Sequence, residues 1–386
     1  MLATRRNAEN ATAGLSNIQA GFMKIAHVVD SMEVGGAETL VLQMCRLQRA
    51  QGHDPCVYAW ARLGALGEQM QKEGFVVQSN VGRHLPDATR NFFRIFKASR
   101  PDVVHLHHST PTIYAAIPAR MVGVPSIVST WHGLLGPPRR PVAELKYALA
   151  ARFCDWVVGI CEATVNNLKA ITSVPAGKIA CVYNGTAPLM RAAKEDWPQK
   201  SGFTLIYVGR MEPVKNHALL LRAFHAALSS MPELRLWMVG DGSERPAMER
   251  LIAQLDIAGQ VTFWGQQLDV APFFSAADAF IMSSRSEGLP VSLLQAFSLG
   301  LPAIVTDVGG MAEVVRLAHA GWIVPADDAA EMAAAILRLA CSDAERTQLS
   351  ANAKATFHSR FTLQVMADAY MELYRGTARA RRAAIG

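Results

Sequence analysis

The chain is expected to be an α/β protein with two doubly wound parallel-sheet domains in series, and three observations carry that expectation. Short apolar, β-branched runs alternate with stretches of helical periodicity along nearly the whole chain, which is the pattern of βαβ units. The length of 386 residues is more than one core serves well, so two domains are expected. Hydrophobic residues make up 51% and charged residues 18%, a balance that suits strands buried on both faces.

Residues 1–22 are polar and without period, and read as a mobile lead-in. Lys24 to Val29 is the first expected strand, and Thr39 to Ala50 is the helix after it. Between them Gly35 and Gly36 lack side chains, so backbone N–H groups can approach a ligand as phosphate-cradling loops do, although no G-x-G-x-x-G fingerprint is present. Strands follow at Pro55 to Trp60 and Phe75 to Gln78, then a helix from Thr89 to Ser99. In that helix Phe92, Phe93 and Phe96 alternate with Arg90, Arg94 and Lys97, which allows two readings: a face for an anionic membrane carrying a lipid-linked acceptor, or phenylalanines packed on the sheet.

Pro101 to His107 is the next strand, and His105, His107 and His108 at its end raise a metal question. No cysteine or carboxylate cluster completes a ligand shell, so no metal is expected. Ser126 to Thr130 delivers Trp131, His132 and Gly133 at a strand's carboxyl end, where ligands bind in open α/β sheets. His132 is therefore a stronger candidate than His27 or His53. Strands at Asp155 to Ile160 and Lys178 to Val182 close this half, and 187–202, with two prolines and many charges, reads as an interdomain linker.

From Phe203 the pattern restarts, with strands at Thr204 to Val208, Leu234 to Val239, Val261 to Trp264, Ala279 to Met282, Ala303 to Thr306 and Gly321 to Val324. After the first of these, Gly209 breaks the run, and Arg210 and Lys215 sit on a loop before a helix that begins near His217. The guanidinium offers a planar fork for two phosphate oxygens, and the ammonium offers a point charge at the positive end of a helix dipole. Two solvated loop cations are the alternative. Thr306 to Glu313 again places paired glycines, Gly309 and Gly310, between strand and helix. Phe361 to Tyr374 reads as an amphipathic helix, and 375–386 as a mobile basic tail.

A formal net charge of +6 and a pI near 9.1 describe a mild cationic field, suited to nucleotide phosphates or an anionic membrane surface. The basic residues are scattered and carry no nucleic-acid motif, so nucleic acid is not expected as a partner. The six cysteines form no C-x-x-C pair and read as small apolar residues of a reducing compartment. Arg5 and Arg6 precede no apolar core, so no secretory leader is expected and the protein is placed in the cytoplasm, at the inner face of the membrane if peripheral.

Taken in order, Gly35-Gly36-Ala37-Glu38, Asp102 to His107, Thr130-Trp131-His132-Gly133, Gly209-Arg210 through Lys215-Asn216, Val239 to Gly242, Phe263-Trp264-Gly265 and Ser286-Glu287-Gly288-Leu289-Pro290 resemble the retaining glycosyltransferases of family 4. The match runs from about Met23 to Tyr374. The resemblance implies a GT-B fold, two Rossmann-like domains facing a cleft with the nucleotide sugar held mainly by the C-terminal one. No metal and no other cofactor are implied, the partners being a nucleotide-sugar donor and a saccharide or lipid-linked acceptor. Arg210 and Lys215 would clamp the diphosphate, Gly35 and Gly36 would bring amides to the phosphates, and His132 would contact the donor sugar. Gly209, Asn216, Gly288, Leu289, Gly309 and Gly310 would line the donor site. The final helix would cross back to the N-terminal domain.

Glu287 resembles the first acid of the family's Glu-x7-Glu signature, but the second position holds Gln295. An amide accepts from the ribose hydroxyls with one carbonyl oxygen and without charge, so its bonds are weaker. The expected activity is transfer of a hexose from a nucleoside diphosphate sugar, a UDP-sugar first, to an acceptor hydroxyl in cell-surface polysaccharide or glycolipid synthesis. A non-hydrolysing nucleotide-sugar epimerase and a nucleotide-sugar-binding module without transfer are the competing readings.

Overall fold

The structure is a computed structural model that describes residues 21–79, 85–134 and 141–385. Nearly all of the expected lead-in, residues 1–20, lies outside the described residues. The chain divides into two compact units, residues 1–185 with 363–386, and Thr186–Thr362.

In the first unit β1 (Lys24–Val29) leads through Gly35 to helix α1 (Gly36–Ala50), and β2 (Asp54–Ala59), α2 (Gly64–Lys72) and β3 (Val76–Gln78) follow. Then come α3 (Leu85–Ser99), β4 (Val103–His107), α4 (Ser109–Met121), β5 (Ser126–Trp131), α5 (Pro141–Ala151), β6 (Trp156–Gly159), α6 (Glu162–Ile171) and β7 (Ile179–Cys181). The seven strands are parallel in the order β3-β2-β1-β4-β5-β6-β7, so the winding reverses between β1 and β4. Val28, Val104, Leu106 and Ile127 are fully buried, as continuous apolar strands covered on both faces must be.

Phe92 and Phe96 of α3 are buried against Tyr58 and Trp60, and Phe93 is half-buried under Lys97. Of the two readings of this helix, the packing of its phenylalanines on the sheet is the one the structure shows for Phe92 and Phe96. Burying two phenyl rings on the sheet stabilises the fold by about 1.5–3 kcal/mol each, more than a surface stripe returns in water.

The second unit contains β8 (Thr204–Val208), a 3₁₀ turn (Pro213–Lys215), α7 (His217–Leu228), β9 (Arg235–Val239), α8 (Arg245–Gln254), β10 (Val261–Gly265) and α9 (Ala271–Ala276). It continues with β11 (Ala279–Met282), α10 (Val291–Leu299), β12 (Ala303–Thr306), α11 (Gly309–Ala318), β13 (Gly321–Val324), α12 (Ala329–Cys341) and α13 (Asp343–Arg360). Its six parallel strands run β10-β9-β8-β11-β12-β13, reversing between β8 and β11.

The stretch expected to be a linker is bonded to this second unit: Leu189 N donates to Ser298 Oγ, and Ala192 N donates to Ser275 Oγ. The last helix, α14 (Leu363–Ile385), belongs to the first unit and continues through the residues read as a basic tail. Ala and Arg dominate that extension, and both favour helix strongly enough to carry it past Gly376 and Thr377. Among the described residues, no helix is long and apolar enough to cross a membrane.

Candidate active site

The second unit gathers its polar residues where the sheet reverses, which is where open α/β sheets bind ligands. β8 ends at Gly209, and the loop after it carries Arg210 and the turn Pro213–Lys215. Gly240, after β9, has φ +135°, and a Cβ there would lie 2.0 Å from the Gly209 carbonyl oxygen. Only glycine lets the two loops meet so closely.

The β11 loop then closes on the β8 loop. Ser283 Oγ lies 3.0 Å from both the Lys215 and Asn216 carbonyl oxygens, a shared donation, and Arg285 N donates to Val214 O at 2.8 Å. Through these bonds Lys215 Nζ meets Glu287 Oε1 as an ion pair, and Ser284 Oγ donates to the same oxygen at 3.1 Å. Arg210 is exposed on the same loop, with its carbonyl accepting from Tyr207 Oη at 2.9 Å. Asn216 adopts φ +50°, and its Nδ2 donates to Asp327 Oδ1 at 2.8 Å. Thus Lys215, Glu287, Gly209 and Asn216 share one end of the sheet.

The remaining expected donor residues divide. Leu289 is 3% exposed and belongs to the core. Gly310 N donates to Gly288 O at 2.7 Å, so that amide is committed within the protein, while Gly309 opens α11 with φ +50°. Gln295 is half-buried in α10, one turn inside a helix that starts after Pro290. His217 was not singled out by the sequence. Its buried ring lies edge-on to Tyr207 at 4.8 Å, neither nitrogen is bonded among the described residues, and burial with the neighbouring Lys215 charge lowers its pKa to about 4.

The first unit has a matching arrangement at its own reversal point. Register sets His27 of β1 beside His105 of β4, and His107 beside Thr130 of β5. His27 Nε2 lies 2.9 Å from Gln48 Oε1, His27 Nδ1 3.1 Å from His107 Nε2, and His107 Nδ1 3.0 Å from His132 Nε2. His105 bonds Thr130 Oγ1 through Nε2 and Tyr374 Oη through Nδ1, both at 2.7 Å. Tyr370 Oη reaches Thr130 Oγ1 at 3.0 Å, so α14 is fastened to this cluster. Burial holds His27 near 4 and His105, His107 and His132 well below the ordinary imidazole range, so the rings are neutral at pH 7.

Ring nitrogens of His27, His105 and His107 lie within 4.8 Å of one another, a spacing that could hold a metal ion. Each is already committed to a hydrogen bond, and an ion would have to displace them. The sequence ranks His27 below His132 and does not single out Gln48. The signal for Gln48 is an amide on the buried face of α1, beside Met44 and Cys45.

Gly35 precedes α1 in extended backbone, and a Cβ there would lie 2.4 Å from Glu38 Oε2. The carboxylate therefore folds over the glycine loop, where it would compete with a phosphate.

A GT-B glycosyltransferase fold is defined by these two sheets with their reversal-point sites. The chain belongs to the glycosyltransferases of group 1 and family 4: residues 192–356 match "Glycosyl transferases group 1" and residues 34–188 match "Glycosyltransferase Family 4". It is 33% identical over 155 residues to the lipopolysaccharide core biosynthesis glycosyltransferase LpsE of Rhizobium meliloti, covering 39% of this chain and 46% of that protein. With the related LpsD, where 51% is covered, the chain spans about half the length of these curated relatives. It is 25% identical over 303 residues to the UDP-Gal:alpha-D-GlcNAc-diphosphoundecaprenol alpha-1,3-galactosyltransferase of Escherichia coli, covering 74% of this chain and 78% of that one. Anabaena HepE, solved in complex with UDP, has the same fold with a TM-score of 0.79 at 19% identity, covering 91% of this chain and 99% of that one.

Proposed function

We propose that the protein transfers a hexose from a UDP-sugar to an acceptor hydroxyl with retention at the anomeric carbon, in the synthesis of lipopolysaccharide or another surface glycan. The observation that carries this reading is the Lys215–Glu287 pair, with Arg210 on the same loop as Lys215, at the reversal point of the six-stranded sheet. Support for the donor comes from the UDP named for the E. coli galactosyltransferase and for HepE.

Negative charge grows on the diphosphate as it leaves, and cations already in place stabilise that transition state more than the ground state. In this reading Arg210 and Lys215 supply that charge without a metal, and Glu287 holds sugar hydroxyls. Gln295 accepts from the ribose, Gly288, Gly309 and the Gly35-Gly36 loop approach donor oxygens, and His132 faces the sugar. The donor and the buried thiols at Cys45, Cys56, Cys154 and Cys161 fit a cytoplasmic protein.

With a lipid-linked acceptor the protein works beside a membrane. Val142, Leu145 and Leu149 of α5, at helical spacing, and Phe153 after it are 66%, 57%, 49% and 40% exposed, and Lys146 and Arg152 beside them are exposed too. That surface replaces α3 as the proposed contact with an anionic bilayer.

The test incubates the protein with a panel of nucleotide sugars, with and without glycolipid acceptors, and follows the products by mass spectrometry and anomeric NMR. Transfer with an α-linkage from an α-linked donor supports the proposal. An epimer formed without any acceptor replaces it with the isomerase, and binding without turnover replaces it with the binding module.

A further inference from the structure

Behind His132 runs a line of polar side chains that sugar transfer, as described above, leaves without a task. Gln48 is 1% exposed in a helix whose other buried positions, such as Val41, Met44 and Cys45, are apolar or small. A buried amide there costs stability unless it is bonded, and its Oε1 is bonded to His27 Nε2. From His27 the line passes to His107 and then to His132.

Each of these rings is neutral, so each carries one N–H and one lone pair. Neutral imidazoles joined nitrogen to nitrogen can be satisfied in only two ways, with every donor pointing along the line or every donor pointing back. The amide oxygen at the end can only accept. His27 therefore donates through Nε2 and accepts at Nδ1 from His107 Nε2–H, and His107 accepts at Nδ1 from His132 Nε2–H. His105 stands outside the line, because Thr130 and Tyr374 take both of its nitrogens.

The order of donors leaves His132 Nδ1 as a bare lone pair. That atom is buried and has no hydrogen-bond partner among the described residues. An unpaired buried acceptor costs about 1–3 kcal/mol, which a hydroxyl brought by a ligand would recover. We propose that Gln48, His27 and His107 are positioning residues for transfer: they hold His132 in the Nε2–H tautomer and so present its Nδ1 as the acceptor for a substrate hydroxyl. The proposal rests on the reading of His132 as the residue that faces the sugar.

The test is a long-range proton–nitrogen spectrum of the full chain labelled with 15N-histidine at pH 7.5, assigned with single histidine variants. The expected result is that His27, His107 and His132 are neutral, each with its proton on Nε2. A proton on His132 Nδ1, as an amide turned the other way would impose, overturns the proposal, and so does a cationic ring among the three. Gln48→Met removes the terminal acceptor at similar volume. It is expected to mix the His132 tautomers and lower kcat about tenfold while KM for the nucleotide sugar stays within about twofold. An unchanged His132 spectrum in that variant overturns the proposal. The spectra need no substrate, so a protein that turned over no donor would sink the transfer reading and still decide the tautomer.

Discussion

Lys215 and Glu287, 72 residues apart, form an ion pair across the point where the six-stranded sheet reverses, with side chains 16% and 14% exposed. On the proposed function, the cation meant for the diphosphate is thus already partnered by the carboxylate meant for the sugar. An arriving diphosphate must share the ammonium with Glu287.

Glu287→Gln separates those two roles. With the carboxylate neutralised, Lys215 is left to the phosphates, so free UDP should bind about three- to tenfold more tightly, the worth of a pair of this exposure. Sugar transfer should fall, because the sugar loses a charged acceptor. Titration calorimetry with UDP, beside a transfer assay, checks both directions.

The neutral histidines of the first unit set a pH dependence. His27 is held near 4 by burial, against 6.5 in an unfolded chain, so the unfolded state binds more protons between those values. Stability from this group is complete above about pH 6.5 and is lost as pH falls toward 4, at about 1.4 kcal/mol per unit. His105, His107 and His132 act in the same direction, while burial raises the Asp102 pKa to about 6 and opposes them. Urea midpoints at pH 7 and pH 5 should show the wild type losing about 2 kcal/mol more than His27→Gln does.

Gln295→Glu restores the second acid that the family signature holds. The residue is half-buried in α10, in a place a carboxylate fits without enlarging the side chain. A charged acceptor forms stronger bonds to ribose hydroxyls, so KM for the nucleotide sugar should fall about three- to tenfold. An unchanged or higher KM would show that ribose does not reach this position.

Leu145 and Leu149 test the membrane surface. Both are exposed on α5, so Leu145→Glu with Leu149→Glu should leave the thermal midpoint nearly unchanged. Co-sedimentation with anionic vesicles should drop several-fold. The same experiment with Arg94→Glu on α3 should show a smaller loss, because Phe92 and Phe96 of that helix are buried in the core.

Much of the fold was legible because parallel strands write themselves as apolar runs. Thr204–Val208, Ala279–Met282, Ala303–Thr306 and Gly321–Val324 are bounded by residues that break strands, and their ends coincide with those read from the sequence. Helix α4 was passed over because Thr110, Thr112 and the internal Pro118 give it little amphipathic period. The cations of the β8 loop could be picked out from local order alone, but the Lys215–Glu287 pair could not. It depends on β8 and β11 being neighbours, which only the strand order decides. His27 joined the histidine cluster for the same reason, since β1 and β4 pair in a register that sets His27 beside His105, 78 residues on.

The clamp itself is most directly examined by titrating UDP into the wild type, Arg210→Ala and the double variant with Lys215→Ala. Arg210 is exposed, so its loss should not unfold the protein. The account predicts affinity falling about 10- to 100-fold for each cation removed, with transfer reduced by about 10² to 10³. Affinity and turnover within about twofold of the wild type in the double variant would contradict it.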